Sequence, residues 1–297
     1  MIDKLEFILA LAREKHFGRA AEACGVTQPT LSAGIKQLED SFGVLLVNRG
    51  SRFQNFTPEG ERVLDWARRI VGDTRTMREE IHALKHGLTG RLCIAAIPMA
   101  HAVIEPLTTR YHERHPEVQF TLLSHNAQEI FRLLENLEID AGITYLDGTT
   151  PNRVTSVPLY SERYCLLTSP GAPLGDRARV TWAEVANVPL CLLTPDTKLR
   201  RIIEGLMRDA GGNPRPTIES NALILLYAQV RTGRWATVMP ARLAATLGLT
   251  EKLRSIPIVE PEASLTIGLV VPARQPMKPL TAALIAEARR IAPSLAD

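Results

Sequence analysis

Thr27-Gln28-Pro29-Thr30-Leu31-Ser32 crowds hydrogen-bonding side chains at the head of an apolar stripe, Leu31, Ile35 and Leu38, that recurs at helical spacing. On the first turn of a helix laid in a major groove, such residues can read base edges. Gln28 can bond adenine through a bidentate amide. Thr30 and Ser32 reach a base edge or a phosphate, and Pro29 with the Thr30 methyl can touch a thymine methyl. Lys36, one turn on, suits a phosphate, a contact that positions the protein without specifying sequence. Thr27 has a competing role as helix cap, which is its main one. Further on, Asn48-Arg49-Gly50-Ser51-Arg52 offers Arg49 and Arg52 to the phosphate backbone or the minor groove. The bland alternative for either is an idle solvated charge.

Other chemistry is poorly supplied. His82 and His86 are four apart but lack a third ligand, and the Glu113-Arg114 pair between His112 and His115 does not give metalloprotease spacing. Cys24, Cys93, Cys165 and Cys191 are scattered, as expected of reduced, mostly buried thiols in a reducing cytoplasm. There is no GxxxxGK(S/T) loop, no GxGxxG after a strand and no GxSxG elbow. No catalytic residue, metal site or cofactor is therefore expected.

The elements that must position these residues follow from the spacing. Leu5, Ile8, Leu9 and Ala12 mark a first helix from about Ile2. A short helix with Ala20, Ala21 and Cys24 follows, then a turn at Gly25-Val26 and the helix that Thr27 caps. That is the helix-turn-helix order. Leu45-Leu46-Val47 and Phe53 to Phe56 predict a short two-stranded wing with a basic tip. Thr57-Pro58-Glu59 opens a helix of about 30 residues. In it Val63, Ile70, Met77 and Leu84 run in sevens, and Ala67, Thr74, Ile81 and Leu88 form a second series offset by four. A helix with no partner in its own small domain reads as a dimerising linker; the alternative is a long amphipathic core helix. From Gly90 onward strands alternate with helices, which predicts a parallel sheet with helices on both faces, and about 200 residues hold two such sheets.

Composition sets bounds on all of this. The 297 residues carry 35 Lys and Arg against 32 Asp and Glu, a net +3, with 45% hydrophobic and 5% aromatic residues. These are globular values; they exclude a disordered chain or a polycationic coat, and they weaken base-stacking single-strand binding. Residues 1–57 hold seven basic and six acidic side chains, so any grip on DNA depends on placement and avidity rather than bulk charge. The first residues, MIDKLEFILALAREKHF, are too interrupted by charge for a signal peptide, and no apolar run suits a membrane span.

Over its whole length the chain resembles the LysR-type transcriptional regulators. The likeness is densest in His16-Phe17-Gly18-Arg19-Ala20-Ala21-Glu22, Val26-Thr27-Gln28-Pro29-Thr30-Leu31-Ser32, Ile35-Lys36-Gln37-Leu38-Glu39 and Thr57-Pro58-Glu59-Gly60. The segments around Leu137-Glu138-Ile139-Asp140 and Gln229-Val230-Arg231-Thr232-Gly233 look like the family's regulatory domain. The resemblance implies an all-α winged helix-turn-helix (1–57), a dimerising linker helix (58–88) and an α/β two-lobed domain like the periplasmic binding proteins (89–297). In that domain lobe I would comprise about 90–160 and 266–297, and lobe II about 161–265. It also implies promoter DNA, a small-molecule effector, RNA polymerase and assembly from homodimer to homotetramer.

For the effector, the resemblance points to Pro98, Met99 and Ala100, to Ser124, His125 and Asn126, to Thr144, to Thr194 and Thr197, and to Asn221. Helix N-termini near such a cleft suit an anion; for each residue the alternative is a cap or loop role. Two departures stand out. Ala33 and Gly34 sit where similar members often carry Arg or another polar residue, and Gly34 costs a helix about 1 kcal/mol relative to Ala with nothing in the sequence to explain it. Ile97 and Met99 replace hydroxyl residues common in similar regulators. The rival readings are a solute-binding or small-molecule enzyme domain fused to a helix-turn-helix, and an architectural DNA-binding protein, which would not need so large a βα region.

Overall fold

The computed structural model describes residues 1–49, 53–148, 151, 153–248 and 252–295. The N-terminal part packs three helices, α1 (Ile2–Glu14), α2 (Phe17–Ala23) and α3 (Gln28–Phe42), around Leu5, Ile8, Leu11, Leu31, Ile35 and Leu38. The break before α2 has a function: His16 caps that helix, its Nδ1 accepting hydrogen bonds from Gly18 N (3.1 Å) and Arg19 N (3.3 Å). Two antiparallel strands follow, β1 (Val47–Arg49) and β2 (Phe53–Phe56). The first begins two residues later than the apolar run suggests. Leu45 stays exposed while Leu46 plugs the core.

The long helix α4 runs Pro58–His86, with Thr57 Oγ1 accepting from Gly60 N at 2.9 Å. Contrary to the expectation, its first half has a partner in its own domain: Leu64, Ala67 and Val71 complete the core of the N-terminal helices. The second half behaves differently. Met77 is 52% exposed, Ile81 51% and Leu84 87%, so the predicted apolar series is bare there.

The C-terminal part is built on an eight-stranded mixed sheet and a separate two-stranded parallel one. Strands β3 (Gly90–Ala96), β4 (Val118–Ser124) and β5 (Ala141–Tyr145) are parallel, joined by α5 (His101–Arg114) and α6 (Ala127–Glu135). Then β6 (Val154–Thr168) runs antiparallel to its neighbours and leaves this lobe for a second one. The second lobe holds β7 (Val180–Thr181), α7 (Trp182–Val185), β8 (Cys191–Leu193), α8 (Lys198–Asp209), β9 (Ile218–Ser220), α9 (Leu223–Val230), β10 (Thr237–Pro240), α10 (Ala241–Thr246) and β11 (Arg254–Val259). The chain returns through β12 (Ser264–Pro272) and ends in α11 (Pro279–Leu295).

The order β4-β3-β5-β12-β6-β11-β7, with β10 also on β6, makes β6 common to both lobes. Residues 154–163 of β6 pair with β12, and residues 164–168 pair with β10 and β11. The purely parallel sheet expected from βα alternation is corrected here, because the two strands that cross between lobes each lie antiparallel to their neighbours. No described helix is long and apolar enough to cross a membrane.

Candidate nucleic-acid interface and ligand cleft

The first turn of α3 stands clear of the core. Thr27, Gln28, Pro29, Thr30 and Lys36 are exposed and Ser32 half-buried, while Leu31, Ile35 and Leu38 turn inward. Thr27 does cap α3, its Oγ1 accepting from Thr30 N at 3.4 Å. The two threonine hydroxyls also bond each other at 2.9 Å, so Thr30 is held in place and offers its methyl outward more freely than its hydroxyl. The Gln28 amide lies beside Gly18 at the start of α2. Gly34 now has a reason: a Cβ there would sit 2.6 Å from the Phe7 ring of α1, so the missing side chain lets the two helices close. Arg49 ends β1, and Arg52 falls outside the described residues. The base of the wing is tied to α3 by Glu39, whose Oε1 accepts from Leu46 N (3.0 Å) and Val47 N (3.2 Å).

Between the lobes lies a cleft of about 880 Å³. Of the effector candidates, Pro98, Met99, Asn126, Thr197 and Asn221 line it. The others stand elsewhere. Ala100 is fully buried, Ser124 Oγ bonds His101 Nε2 at 3.1 Å, and His125 is half-buried outside the lining. The Thr144 and Thr194 hydroxyls are buried without a protein partner and do not reach the cleft wall. Ile97 and Met99, which replace hydroxyl residues, are both 2% exposed, so they close the core behind the cleft and add little wall surface of their own.

Sequence reasoning missed Gln128, Phe131, Lys198 and Arg201, all part of the wall, which also includes Tyr145. Lys198 and Arg201 were detectable, because they lie three residues apart on the first turn of the helix that Thr197 caps. The cleft gathers the N-termini of α6, α8 and α9. Asn126 and Thr197 cap the third N–H of α6 and α8, Glu129 N at 2.9 Å and Arg200 N at 3.3 Å. The N–H groups of the first two residues of each helix are left for a guest. Lys198 of the second lobe also pairs with Asp147 of the first, and its Nζ lies 4.6 Å from the Tyr145 ring centroid. Helix ends, Lys198 and Arg201 supply positive charge to the site, opposed by Asp196 in the wall and by Asp147, which holds Lys198. Burial holds the Tyr145 phenol protonated well above its ordinary range, so it meets a guest as a neutral hydroxyl and not as a phenolate.

The cysteines lie outside the cleft wall. Cys24 and Cys93 are half-buried, and burial raises both thiols; it pushes Cys165 and Cys191 up to about 11. No group of three His, Cys, Asp or Glu poised for a metal is found among the described residues.

A helix-turn-helix reader joined by a long helix to a two-lobed ligand domain defines a class of bacterial regulators. The family described as "Bacterial regulatory helix-turn-helix protein, lysR family" matches residues 2–61, and "LysR substrate binding domain" matches residues 85–292. The chain belongs to the LysR family of transcription regulators. It is 29% identical over 278 residues to "DNA-binding transcriptional dual regulator OxyR" of Escherichia coli, covering 93% of this chain and 91% of that one. A "Hydrogen peroxide-inducible genes activator" of Haemophilus influenzae is 28% identical over 280 residues, covering 93% and 92%. Among solved structures, a full-length OxyR variant from Pseudomonas aeruginosa superposes with a TM-score of 0.78 at 26% identity, covering 98% of this chain and 99% of that one. Full-length CbnR bound to its target DNA gives 0.62 at 20% identity over 98% and 100%, a likeness of fold.

Proposed function

We propose that this LysR-family regulator reads promoter DNA through α3 and is switched by a small organic anion held between its lobes, not by oxidation of a thiol. The carrying observation is the cleft, where three helix N-termini, Lys198 and Arg201 converge. Some relatives are named for induction by hydrogen peroxide. A peroxide-reactive cysteine needs thiolate character and access. The four thiols here have raised pKa values and none lines the cleft.

Residues 1–57 form the reader in this proposal, 58–88 the linker and 89–297 the sensor. Gln28 reads a base; Ser32, Lys36, Arg49 and Arg52 hold the backbone or base edges. Pro98, Met99, Asn126, Thr197 and Asn221 hold the effector together with Lys198. The bare stripe of Met77, Ile81 and Leu84 pairs two chains into a dimer, two dimers make a tetramer, and the assembly acts on RNA polymerase in the cytoplasm. Half-sites then lie about one helical turn apart or a multiple of it. The effector works by favouring one lobe arrangement over another. An anion that takes Lys198 from Asp147 changes the only ion pair the described residues place across the mouth of the cleft. The protein is not an enzyme in this reading.

A thermal-shift screen of small carboxylates and phosphates tests it. A hit should raise the melting temperature by mass action and alter operator binding, and Lys198→Ala should abolish both effects. A shift of operator binding by hydrogen peroxide alone, lost on replacing one cysteine, would overturn the ligand reading.

A further inference from the structure

A second cavity, of about 460 Å³, lies outside the cleft, between α4 and the first lobe. Its floor is apolar, with Phe131 and Leu134 of α6, and its rim is rich in arginine. Arg153 is matched by Glu135 at 3.0 Å and Asp65 at 3.6 Å, and Arg68 by Asp65 at 3.3 Å. Arg69 and Arg274 have no carboxylate within ion-pair distance among the described residues. Arg274 is half-buried and spends its Nη1 on a backbone carbonyl, that of Arg68, at 3.1 Å. It reaches that carbonyl because Gly72 has no side chain; a Cβ there would lie 1.4 Å from the same nitrogen. Arg69 lies over the Trp66 ring at 5.2 Å, with its charge otherwise unmatched. Asp73 is the remaining acid of the wall.

From two guanidiniums that hold no carboxylate within ion-pair distance, beside an apolar floor, we infer a second binding site, for an organic anion with an apolar body, at the junction of linker helix and sensor. The carboxylate or phosphate meets Arg274 and Arg69, and the body lies on Phe131 and Leu134. Burial disfavours the Arg274 cation most; Asp73 offsets part of that cost, while the charges of Arg69 and Arg75 add to it, and an anion set between Arg274 and Arg69 relieves what remains. Phe131 lines this cavity and the cleft alike, and α6 is the wall between them. A guest in the junction therefore touches the helix whose N-terminus faces the cleft, and clamps α4 to the first lobe. Such a site couples to the cleft through one rigid element, and the coupling must be reciprocal.

Calorimetric titration of the full chain with butanoate, hexanoate and octanoate tests the site, with acetate and octanol as controls. Affinity should rise by about fourfold per methylene along the series, and neither control should saturate. Arg274→Gln should weaken octanoate at least tenfold. Arg69→Gln, at a more exposed position, should weaken it severalfold and guards against misfolding of the first variant. Lys198→Ala, which removes one of the two cations of the cleft, should leave this binding in place. Absence of saturable octanoate binding, unchanged affinity in both arginine variants, or loss only in Lys198→Ala would each overturn the junction site. That last outcome would leave the cleft reading intact.

Discussion

The reader and the sensor each bury a glutamate, and they treat it differently. Glu39, 6% exposed, closes the reader: one carboxylate oxygen takes the N–H groups of Leu46 and Val47 and fixes the wing to the recognition helix. Glu162, 1% exposed, lies in β6 where the chain passes between lobes; its Oε1 accepts a long bond from Arg242 N at 3.4 Å, and the neighbouring Tyr160 hydroxyl lies too far or too askew for a well-formed bond. The same contrast extends along β6, where Tyr164 and Thr168 also bury hydroxyl oxygens without a protein partner. Among the described residues of 1–57 there is no such atom. A finished hydrogen-bond inventory holds one arrangement. In β6 the backbone ladder to β12, β10 and β11 fixes the register, and the buried side-chain oxygens add little to it, so these side chains can reorient without breaking strong bonds.

The largest effect is expected at Glu39. Glu39→Ala leaves two buried N–H groups without their charged acceptor, and should cost roughly 3–5 kcal/mol, since each bond to a charged group is worth about 1.5–3 kcal/mol. Urea unfolding measures it. A loss under 1 kcal/mol would break the contrast between the two halves. Gln28→Ala comes next, and acts on binding alone. Operator affinity should fall by roughly 1–3 kcal/mol with unchanged thermal stability; equal affinity for the native operator and for one altered at the contacted base would confine Gln28 to a structural role. A smaller effect is expected at Gly34. Alanine gains about 1 kcal/mol in a helix interior, but here its Cβ meets Phe7, and overpacking costs roughly 1–3 kcal/mol. Gly34→Ala should therefore lower the melting temperature, and adding Phe7→Leu should restore it. A stabilised single variant would mean that α1 yields and that the reader is looser than its hydrogen bonds suggest.

The two halves also differed in how far they could be read from sequence. The reader was legible because its signals are local. Thr27 caps at the position its residue type predicts, and Leu31, Ile35 and Leu38 face inward as their spacing requires. The linker misled in one respect: the series of sevens that includes Ala67 does not say which helix will cover it, and α1 covers its first half. In the sensor, strands with continuous apolar runs, β3, β5 and β12, were visible. Of β6, only Tyr164–Thr168 carries an unbroken apolar run, because Pro158, Ser161 and Glu162 interrupt the pattern of the preceding ten residues. Strands β7 and β11 and helices α7 and α10 were not foreseen, being short or, for β11, interrupted by Pro257. Half of the effector candidates line the cleft, and the rest do not, for a geometric reason. Successive strand residues face opposite ways, so at the end of β5 Tyr145 lines the cleft while Thr144 faces away from it, and no sequence signal gives that phase.

The smallest expected effect has the most informative sign. Burial raises the Glu162 carboxyl above its ordinary 4.5, partly offset by the Arg242 N–H. The folded protein thus holds that proton more tightly than the unfolded chain does. Its contribution to stability is fully present below pH 4.5 and is lost as the pH rises through the folded-state value. Glu162→Gln keeps the shape and removes the ionisation, so it should be more stable than the parent at neutral pH and lose that advantage below about pH 4.5. Glu39→Gln keeps a carbonyl oxygen but removes the charge that strengthens both bonds, so it should be less stable than the parent at neutral pH. Melting temperatures of the three proteins at pH 7 and pH 4 give the comparison directly. If both glutamine variants shift the same way at pH 7, the reader and the sensor do not differ in how they accommodate buried charge. Opposite signs would make β6, one of the two strands that cross between the lobes, a place where the sensor gives up stability.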